Sequence, residues 1–562
     1  MRKINLWFLL LIFFIFLLFL LTALGLTQLV IKKPEFYSIV KEEEDTLLTS
    51  DTLKLSFPKE GYLPLKGYVL TNKNFIFDNE IKILKEILKD FSEFDYQIID
   101  EKVFERLSEE KGIIILLEKT KYDIKISEKV KEKVYSGWGI LVIKNPQTKE
   151  GVSLLSHIGG VIPVENNKIE YQEIFLKGET PLTFNMKVGD FLGIVGEKSY
   201  YLKPVEKRVN GCGYYKFDKE AIVYGFYNKG RYVALGFSLN SLTGDSFTQR
   251  NIRILFRNII NWLTKRPVIQ FKYWPNNKEY AFIFTCDVEH QGENWHKIKE
   301  IVNDGTFFFL TSEFKSFDKK EIKNIEIALH GQGHEPLKNK DYEKQERIIL
   351  EGKNYLEKRL KEKIFGFHPP LLMYDNLTLE ILKKSDFLYL LIEYKLGLPF
   401  LPYFSSIISI PQTIPDDYDL IIRNGIKNPD TLFTYFLNYI EELKRINGLI
   451  VFSIHTHLLG NRDYQPVIKQ IIDLIKNDKN CYFTKAKDIA QWWQKRSKIE
   501  IDFKENKTDE IIIANFSPED IEGIVIKYYP STNEISEREI TIDIKKLAKR
   551  EKRKIYIIYQ DH

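Results

Sequence analysis

The distribution of apolar and charged positions marks off the amino-terminal segment of the chain first. Residues 6–31 contain no charged side chain, and residues 6–21 are apolar without interruption. At a rise of about 1.5 Å per residue, a helix over this run is about 39 Å long, enough to span a hydrocarbon layer of about 30 Å with some tilt. The pattern predicts a transmembrane signal anchor over residues 1–33.

A cleaved signal peptide is the alternative for this segment. Signal peptides have an apolar core of about 7–15 residues followed by a small-residue cleavage site. Here the apolar run is longer, and Ala23-Leu24-Gly25 is a poor cleavage site. Because Arg2 and Lys3 precede the run, the positive-inside rule places the amino terminus in the cytoplasm. We therefore expect a single-pass, membrane-anchored protein whose globular part lies outside the cytoplasm.

The pattern changes twice before the middle of the chain. Residues 34–60 are polar and predict a linker. Residues 61–266 alternate short apolar runs, such as 113–117 and 139–143, with segments such as 81–91 that carry an apolar stripe at helical spacing. This alternation predicts a doubly wound α/β domain. Its layout resembles the class I glutamine amidotransferase-like fold.

One cysteine in this accessory domain stands in a context that could carry chemistry. Gly211-Cys212-Gly213 is faintly similar to a nucleophile elbow, but a thiol enzyme of that kind needs a histidine base. The only histidine of the domain is His157, upstream of the cysteine. We therefore expect a turn with a small buried thiol, and a domain that binds or scaffolds rather than catalyses.

Residues 270–497 form a second alternating series that predicts an α/β barrel. Its strand candidates are 280–285, 306–310, 325–329, 387–391 and 449–454. Residues 342–363 predict a long helix, with apolar residues at heptad-like offsets. The remaining residues, 499–562, predict a small β domain without a catalytic cluster.

Composition narrows the possible functions. The chain is 44% hydrophobic and 29% charged, which is typical of a globular protein. A net charge of +5 over 562 residues, without a basic aromatic patch, gives no reason to expect a nucleic-acid partner. The three cysteines are widely spaced, so neither a disulfide framework nor a CxxC metal site is predicted.

The histidines are concentrated in the predicted barrel. Of the nine in the chain, all but His157 and His562 lie between residues 290 and 457. Most of them stand where an apolar run ends. Side chains at the carboxyl ends of several strands are how α/β barrels build active sites. This placement predicts a metal-dependent hydrolase.

Two of the strand ends carry the residue types that a metal hydrolase needs. His330 and His334 are separated by Gly331 and Gly333, which suit a tight loop that lets two imidazoles converge on one ion. Asp287 and Glu289 follow another strand candidate and could divide metal binding from proton transfer. The structural alternative is that these carboxylates cap the next helix. The adjacent His290 is either a further ligand or exposed.

A third strand end carries His455 and His457. Residues two apart on an extended chain share a face, so both reach the site if the strand continues. If a turn starts at His455, only His455 enters. His368-Pro369-Pro370 closes another apolar stretch, and its prolines predict a rigid turn.

The order and spacing of these groups resemble the polysaccharide deacetylase family, also called the NodB homology or carbohydrate esterase four family, over residues 275–495. Thr285-Cys286-Asp287-Val288-Glu289 is similar to its acidic motif, and His330–His334 to its HxxxH motif. His368-Pro369-Pro370 stands at its RxP motif, and Ser453-Ile454-His455 at its last catalytic strand.

This resemblance implies a distorted (β/α) barrel and a metal-dependent carbohydrate de-N-acetylase. It implies a divalent metal held by Glu289, His330 and His334, with Asp287 as the base and His455 as the acid. The reverse roles of Asp287 and Glu289 stay open. Zinc is the expected metal, and cobalt, nickel or manganese are alternatives.

Two departures from the family pattern affect the expected activity. Val288 separates the two acids, which are usually adjacent. The arginine that orients the base is replaced by His368, which is not permanently charged. We expect His368 and His457 to orient groups or to contact the substrate. The expected partners are a cell-surface polysaccharide or glycoconjugate and the membrane. The alternative function is a catalytically impaired carbohydrate-binding or assembly module on the same fold.

Overall fold

A computed structural model describes residues 47–560 with short gaps. The gaps are 57–58, 60, 72–78, 90, 108–110, 119–121, 145–148, 166–171, 185, 187–190, 196–198, 216–218, 244–245, 291–293, 314–321, 394–396, 402–405, 506–507 and 532–538. The predicted anchor over residues 1–33 lies outside the described residues. Among the helices of the described part, none is both long and apolar enough to cross a membrane.

The first described element corrects part of the predicted linker. Residues within 34–60 form the strand β1 (Leu47–Lys54), which pairs with the last strand of the chain, β27 (Glu551–Ile558). The pairing continues into Leu55, whose N–H donates to the Ile558 carbonyl at 2.8 Å. This segment has few apolar residues, Leu47, Leu48 and Leu53, set among polar ones, which is a composition typical of an edge strand. The same composition is also typical of a linker, and the prediction of a linker is wrong for these residues.

The accessory domain is built on one ten-stranded mixed sheet. Its elements in chain order are β2 (Lys66–Leu70), α1 (Asn79–Leu88), β3 (Asp95–Ile99), α2 (Glu101–Arg106), β4 (Ile113–Leu116), α3 (Ile124–Tyr135), β5 (Gly139–Ile143), α4 (Lys149–Gly159), β6 (Val161–Glu165), β7 (Gln172–Leu176), β8 (Phe191–Val195), β9 (Tyr200–Pro204), β10 (Asn210–Tyr215), β11 (Lys219–Tyr227), β12 (Gly230–Leu235), β13 (Leu242–Thr243) and α5 (Ser246–Leu263).

The predicted βα alternation holds in the parallel half of this sheet. The strands lie in the order β12-β5-β4-β2-β3 and are all parallel. Helices α1 and α5 pack on one face, and α2, α3 and α4 on the other, so two apolar layers enclose the strands. The other half, β13-β8-β7-β10-β11, is antiparallel. A short apolar run in the sequence does not show whether its strand pairs in parallel or in antiparallel fashion. The amidotransferase-like assignment stays a prediction.

Cys212 lies in the strand β10, and the predicted turn at Gly211-Cys212-Gly213 is therefore wrong. A bulge in the pairing of β10 with β11 accommodates the two glycines. The thiol is fully buried, and burial together with the nearby Glu220 raises its pKa well above the usual value. It is a packed apolar group, as expected for a thiol without a base.

The described residues of the predicted barrel region form nine strands and six α-helices. They are β14 (Val268–Phe271), β15 (Tyr280–Val288), α6 (Trp295–Ile301), β16 (Thr306–Leu310), β17 (Glu326–Gly331), α7 (Tyr342–Leu360), β18 (Gly366–Phe367), α8 (Asn376–Lys384), β19 (Tyr389–Ile392), β20 (Ile408–Pro411), α9 (Pro429–Arg445), β21 (Leu449–His455), α10 (Gln465–Lys476), β22 (Cys481–Thr484) and α11 (Ala486–Arg496).

Eight of these strands form one parallel sheet in the order β20-β19-β18-β17-β16-β15-β21, with β22 paired to the first half of β15. Within the part of the chain that the structure describes, no backbone ladder joins β20 to β21. Side chains bridge this seam instead: Thr413 Oγ1 accepts the Val451 N–H at 2.8 Å, and Gln412 donates to Ser453. The sheet is a curled, incomplete barrel, as expected for a distorted (β/α) fold.

The carboxyl-terminal strands are not an isolated domain. They are β23 (Ile499–Lys504), β24 (Asp509–Asn515), β25 (Ile521–Tyr529), β26 (Ile540–Leu547) and β27. They form two antiparallel sheets, β1-β27-β24-β23 and β14-β25-β26. Each sheet includes one strand from an earlier part of the chain, β1 in the first sheet and β14 in the second. Residues 268–271 thus belong to this region rather than to the barrel. The buried residues of these strands join the barrel core in one cluster.

A buried ionic cluster ties the accessory domain to the barrel. Lys272 Nζ, with no exposed surface, lies 2.7 Å from Glu279 Oε1 and 3.7 Å from Glu179 Oε2. Glu179 is also buried, and its Oε1 accepts the Tyr273 N–H at 2.5 Å. Because charges taken out of water must be paired, these contacts fix how the two segments meet.

Candidate active site

The carboxyl ends of four barrel strands bring the predicted residues together. Asp287 is the penultimate residue of β15, and His330 that of β17. His368 follows β18, and His455 ends β21. The parallel register places Asp287 directly opposite His455 on the neighbouring strand. The side chains converge because carboxyl ends of parallel strands meet at one edge of the sheet.

Glu289 and the two histidines of the HxxxH segment form one group. Glu289 Oε1 lies 2.9 Å from His334 Nε2 and 3.2 Å from His330 Nε2. Burial opposes ionisation of Glu289, but hydrogen bonds from the two histidines outweigh it and hold its pKa below the usual range. The three ligand atoms lie within 4.8 Å of one another, which is close enough for one ion to contact all three.

The other ring nitrogen of His330 fixes how the imidazole points. His330 Nδ1–H donates to the His368 carbonyl at 2.8 Å, so Nε2 is the nitrogen that faces Glu289. An N–H bound to a backbone carbonyl is the usual support of a metal-binding histidine. Gly331 follows with φ +125°, a conformation that favours glycine, and this turns the chain toward His334.

Asp287 has different neighbours. His368 Nδ1–H donates to Asp287 Oδ1 at 2.9 Å, and His455 Nε2 lies 3.7 Å from Oδ2. Burial opposes ionisation here as well. The positive charge of the surrounding imidazoles and the hydrogen bond donated by His368 outweigh the effect of burial. Together they lower the Asp287 pKa to about 2. Burial lowers the pKa of His368 itself, which suits a neutral donor. Asp287 is therefore a carboxylate whose Oδ1 is hydrogen-bonded to His368 and whose Oδ2 lies near the Nε2 atoms of His455 and His330, the latter at 3.9 Å.

Asp417 is a residue of this site that the sequence pattern does not predict. Its Oδ1 lies 2.6 Å from His455 Nδ1, and its Oδ2 accepts the backbone N–H of His455 at 2.9 Å. Burial disfavours the His455 cation, but Asp417 outweighs burial and raises the His455 pKa to about 10. The sequence signal for this residue is the acidic pair Asp416-Asp417, which follows β20. β20 has only four residues, so the apolar pattern does not mark it as a strand.

The structure matches neither of the two alternatives for His457 in full. A turn begins directly after His455, with Leu458 N–H donating to the His455 carbonyl, yet both histidines face the site. His457 Nδ1 lies 3.6 Å from Glu289 Oε2. The ring of the exposed His290 packs on the ring of His457, with centroids 4.1 Å apart. The helix-capping alternative for Asp287 is wrong, because its partners are histidines rather than helix amides.

The chain is similar to several solved protein structures. No family model and no curated protein matches the chain. A protein described as a polysaccharide deacetylase from Mycobacterium smegmatis is 19% identical, with a TM-score of 0.33, and the match covers 39% of this chain and 91% of that one. Agd3, a carbohydrate deacetylase, is 9% identical with a TM-score of 0.40, and the match covers 88% of this chain and 99% of that one.

The chain resembles the polysaccharide deacetylases. A third solved structure, a CE4 family pseudoenzyme from Bacillus anthracis, is 14% identical with a TM-score of 0.27, over 39% of this chain and 66% of that one. The sequence identities and TM-scores of these matches are low.

Proposed function

We propose that the chain is a metal-dependent hydrolase that removes N-acetyl groups from the amino sugars of a cell-surface polysaccharide or glycoconjugate. The observation that carries this proposal is the separation of the two carboxylates. Glu289 Oε1 lies 3.2 and 2.9 Å from the two HxxxH histidines. Asp287 instead has its closest contact with His368, at 2.9 Å, and lies farther from His455 and His330, at 3.7 and 3.9 Å. One carboxylate is thus placed to bind a cation and the other to move a proton.

The donor set of Glu289, His330 and His334 fits a divalent cation. Two imidazoles and one carboxylate are ligands typical of zinc, and cobalt, nickel or manganese accept the same set. When bound, such an ion supplies Lewis acidity that polarises an acyl oxygen and lowers the pKa of water. His334 is the most exposed of the three ligands, with 37% of its side chain accessible, so the site is open toward solvent.

Asp287 and His455 supply the proton transfers of the proposed reaction. Asp287 takes a proton from the water whose oxygen bonds to the acetyl carbon. His455 Nε2 gives a proton to the amide nitrogen as the C–N bond breaks, because an amine leaves poorly without one. The products are acetate and a free amino sugar. The high pKa of His455 keeps its proton available at neutral pH, as this role requires.

The alternative is a carbohydrate-binding or assembly module of low activity. His368 favours it, because a buried neutral imidazole replaces the permanent charge of the family's arginine beside the base. Against it, the hydrogen bond from His368 to Asp287 has good geometry, and Asp417 supports His455 in the manner of a working acid.

We further propose that the chain is anchored in the membrane through residues 1–33, with the deacetylase-like barrel outside the cytoplasm. The uncharged run over residues 6–31 supports this placement. Protease treatment of intact cells tests it: we expect the barrel to be degraded from outside. Protection of the barrel until the cells are lysed would contradict the orientation.

The activity is tested by acetate release from a panel of N-acetylated glycans. The purified full chain is assayed as loaded with zinc and after treatment with a chelator. We expect acetate from at least one glycan with the loaded protein, loss of release on chelation, and recovery when zinc is returned. If the loaded protein binds a glycan of the panel but releases no acetate from any, the deacetylase proposal fails and the binding module stands.

A further inference from the structure

The two oxygens of Glu289 face two different pairs of histidines. Oε1 faces the Nε2 atoms of His330 and His334, at 3.2 and 2.9 Å. Oε2 points the other way, 3.6 Å from His457 Nδ1. A carboxylate with both oxygens aimed at ligand-type nitrogens has the geometry of a bridging ligand rather than of a terminal one.

The second side of the carboxylate is itself a candidate donor set. One ligand atom from each of Glu289, His290 and His457 lies within 4.8 Å of the others, the same limit that the first set meets. The two imidazole rings are 4.1 Å apart between centroids and inclined at 64°. They belong to different strand ends, so two separate parts of the chain converge on this carboxylate.

Backbone contacts fix Glu289 and the His457 segment against each other. The register of β15 and β21 pairs Asp287 with His455, and the Thr456 N–H continues it by donating to the Asp287 carbonyl at 3.1 Å. Thr456 Oγ1 then accepts the Glu289 N–H at 3.2 Å and donates to the Glu289 carbonyl at 3.1 Å. The approach of His457 to Glu289 is therefore built into two strands and is not the accident of a loose loop.

One atom of this set lacks a partner. His457 Nδ1 is buried and makes no hydrogen bond to any residue that the structure describes. A buried polar atom without a partner destabilises the folded state, so such atoms are rare unless they bind something. Facing a carboxylate oxygen and a second imidazole, this nitrogen has the surroundings of a metal ligand.

We propose that Glu289, His290 and His457 hold a second divalent cation, and that Glu289 bridges it to the ion held by His330 and His334. The chemistry of two imidazoles and one carboxylate suits zinc, cobalt or manganese. The exposed His290 puts the second ion on the solvent side of the first. The proposal rests on the proposed first metal site through Glu289, but not on the identity of the substrate.

Metal stoichiometry tests the second ion without any assay of activity. The metal-free full chain is titrated with zinc by calorimetry, and its metal content is measured after gel filtration. We expect about two ions per chain for the parent and about one for His457→Asn and for His290→Asn. The matched control is His296→Asn, an exposed histidine of α6, which should keep two. Circular dichroism confirms that each variant is folded, and His290 is exposed enough for its replacement to leave the fold intact.

Each other outcome has a definite meaning. One ion in the parent and in both variants would overturn the second site while leaving the first. No stoichiometric ion in the parent would instead defeat the metal dependence of the proposed function. Two ions in His457→Asn and His290→Asn would place the second ion elsewhere.

Manganese gives an independent check of the bridge. Two Mn²⁺ ions that share Glu289 are exchange-coupled, so the parent loaded with manganese should show a coupled spectrum by electron paramagnetic resonance. His457→Asn should show the six-line signal of an isolated ion. Six-line signals in the parent at two ions per chain would exclude the bridge.

Discussion

Asp417 binds His455 through both carboxylate oxygens: Oδ1 lies 2.6 Å from the ring Nδ1, and Oδ2 accepts the backbone N–H at 2.9 Å. The same Oδ2 accepts the Leu459 N–H at 2.9 Å. The carboxylate has no exposed surface, so its charge acts on the imidazole with little screening by water. Asp417 therefore fixes the orientation, the tautomer and the charge of His455 together.

Replacement of Asp417 should shift the basic limb of the pH–rate profile. In the parent, Asp417 raises the His455 pKa to about 10, so the acid is protonated through the neutral range. In Asp417→Asn this pKa falls toward the ordinary value of about 6.5. The protonated fraction at pH 8 then drops, and kcat should fall by about 10- to 100-fold with the basic limb at lower pH. Steady-state acetate release from pH 5 to 10 measures this.

The matched control for that variant is Asp419→Asn, two residues along the chain. Asp419 pairs with the exposed Arg423 rather than with His455. Its basic limb should stay where the parent's is. A basic limb that does not move in Asp417→Asn would show that His455 is not the group that titrates there.

His368 should set the acidic limb of the same profile. Its Nδ1–H donates to Asp287 Oδ1, and this bond helps to lower the Asp287 pKa to about 2. In His368→Leu the buried carboxylate loses that donor, and its pKa should rise. The acidic limb then moves to higher pH by about one to two units, because a hydrogen bond to a charged group is worth about 1.5–3 kcal/mol, and kcat/KM falls at the acidic end of the profile. Metal content should stay the same, because His368 is not in the first ligand set. An unmoved acidic limb would remove His368 from this role.

The strands of the barrel could be predicted from the sequence because burial on both faces makes them continuous apolar runs. The candidates at 280–285, 306–310 and 449–454 all coincide with observed strands. Strands of two to four residues, such as Gly366–Phe367 and Ile408–Pro411, are too short for a periodic signal. The pairing of Leu47–Lys54 with the last strand is a long-range contact, and no local pattern specifies it.

In the site, too, residues marked by a local sequence pattern could be predicted, and residues placed by long-range contacts could not. The histidines and acids at strand ends were visible because each follows an apolar run. Asp417 was not, because its strand was missed and its partner His455 is 38 residues away. The turn after His455 was foreseen as one alternative, but only the register with β15 shows that His457 still reaches Glu289.

Glu326 makes the stability of the barrel depend on pH. It is buried at the start of β17, where Tyr389, Thr306 and the Lys487 N–H donate to its carboxylate. Burial outweighs these donors and raises its pKa to about 7. A carboxyl group whose pKa is raised on folding stabilises the protein below its unfolded pKa, and this contribution is lost as the pH rises through the folded pKa.

The free energy of unfolding should therefore fall by about 3 kcal/mol between pH 4.5 and 7.5 through this one group. Glu326→Gln should lose that part of the slope, whatever its effect on absolute stability. Urea unfolding of both proteins at several pH values measures the difference. Equal slopes for the two proteins would mean that Glu326 is ionised in the folded barrel at low pH.

Binding of the cation should stabilise the fold. An ion that binds the folded chain alone adds about 2.7 kcal/mol at a concentration of 100 Kd. We expect Tm to rise with zinc in the parent and to rise clearly less in His330→Ala, which lacks one ligand of the first set but keeps the proposed second set. A zinc-dependent Tm of unchanged size in His330→Ala would place the stabilising ion elsewhere.

Asp287→Asn and Glu289→Gln separate metal binding from proton transfer, which is the central claim about this site. Each change removes one charge and keeps the shape of the side chain. The measurement is the metal content of each variant at a fixed free zinc concentration, taken together with its rate of acetate release.

We predict that Asp287→Asn retains the ion held by His330 and His334 and loses turnover by about 10²–10⁴-fold, the usual worth of a positioned base. Glu289→Gln should lose both the ion and the turnover. If Asp287→Asn loses the ion while Glu289→Gln retains it, the two carboxylates have the opposite roles and the account is wrong.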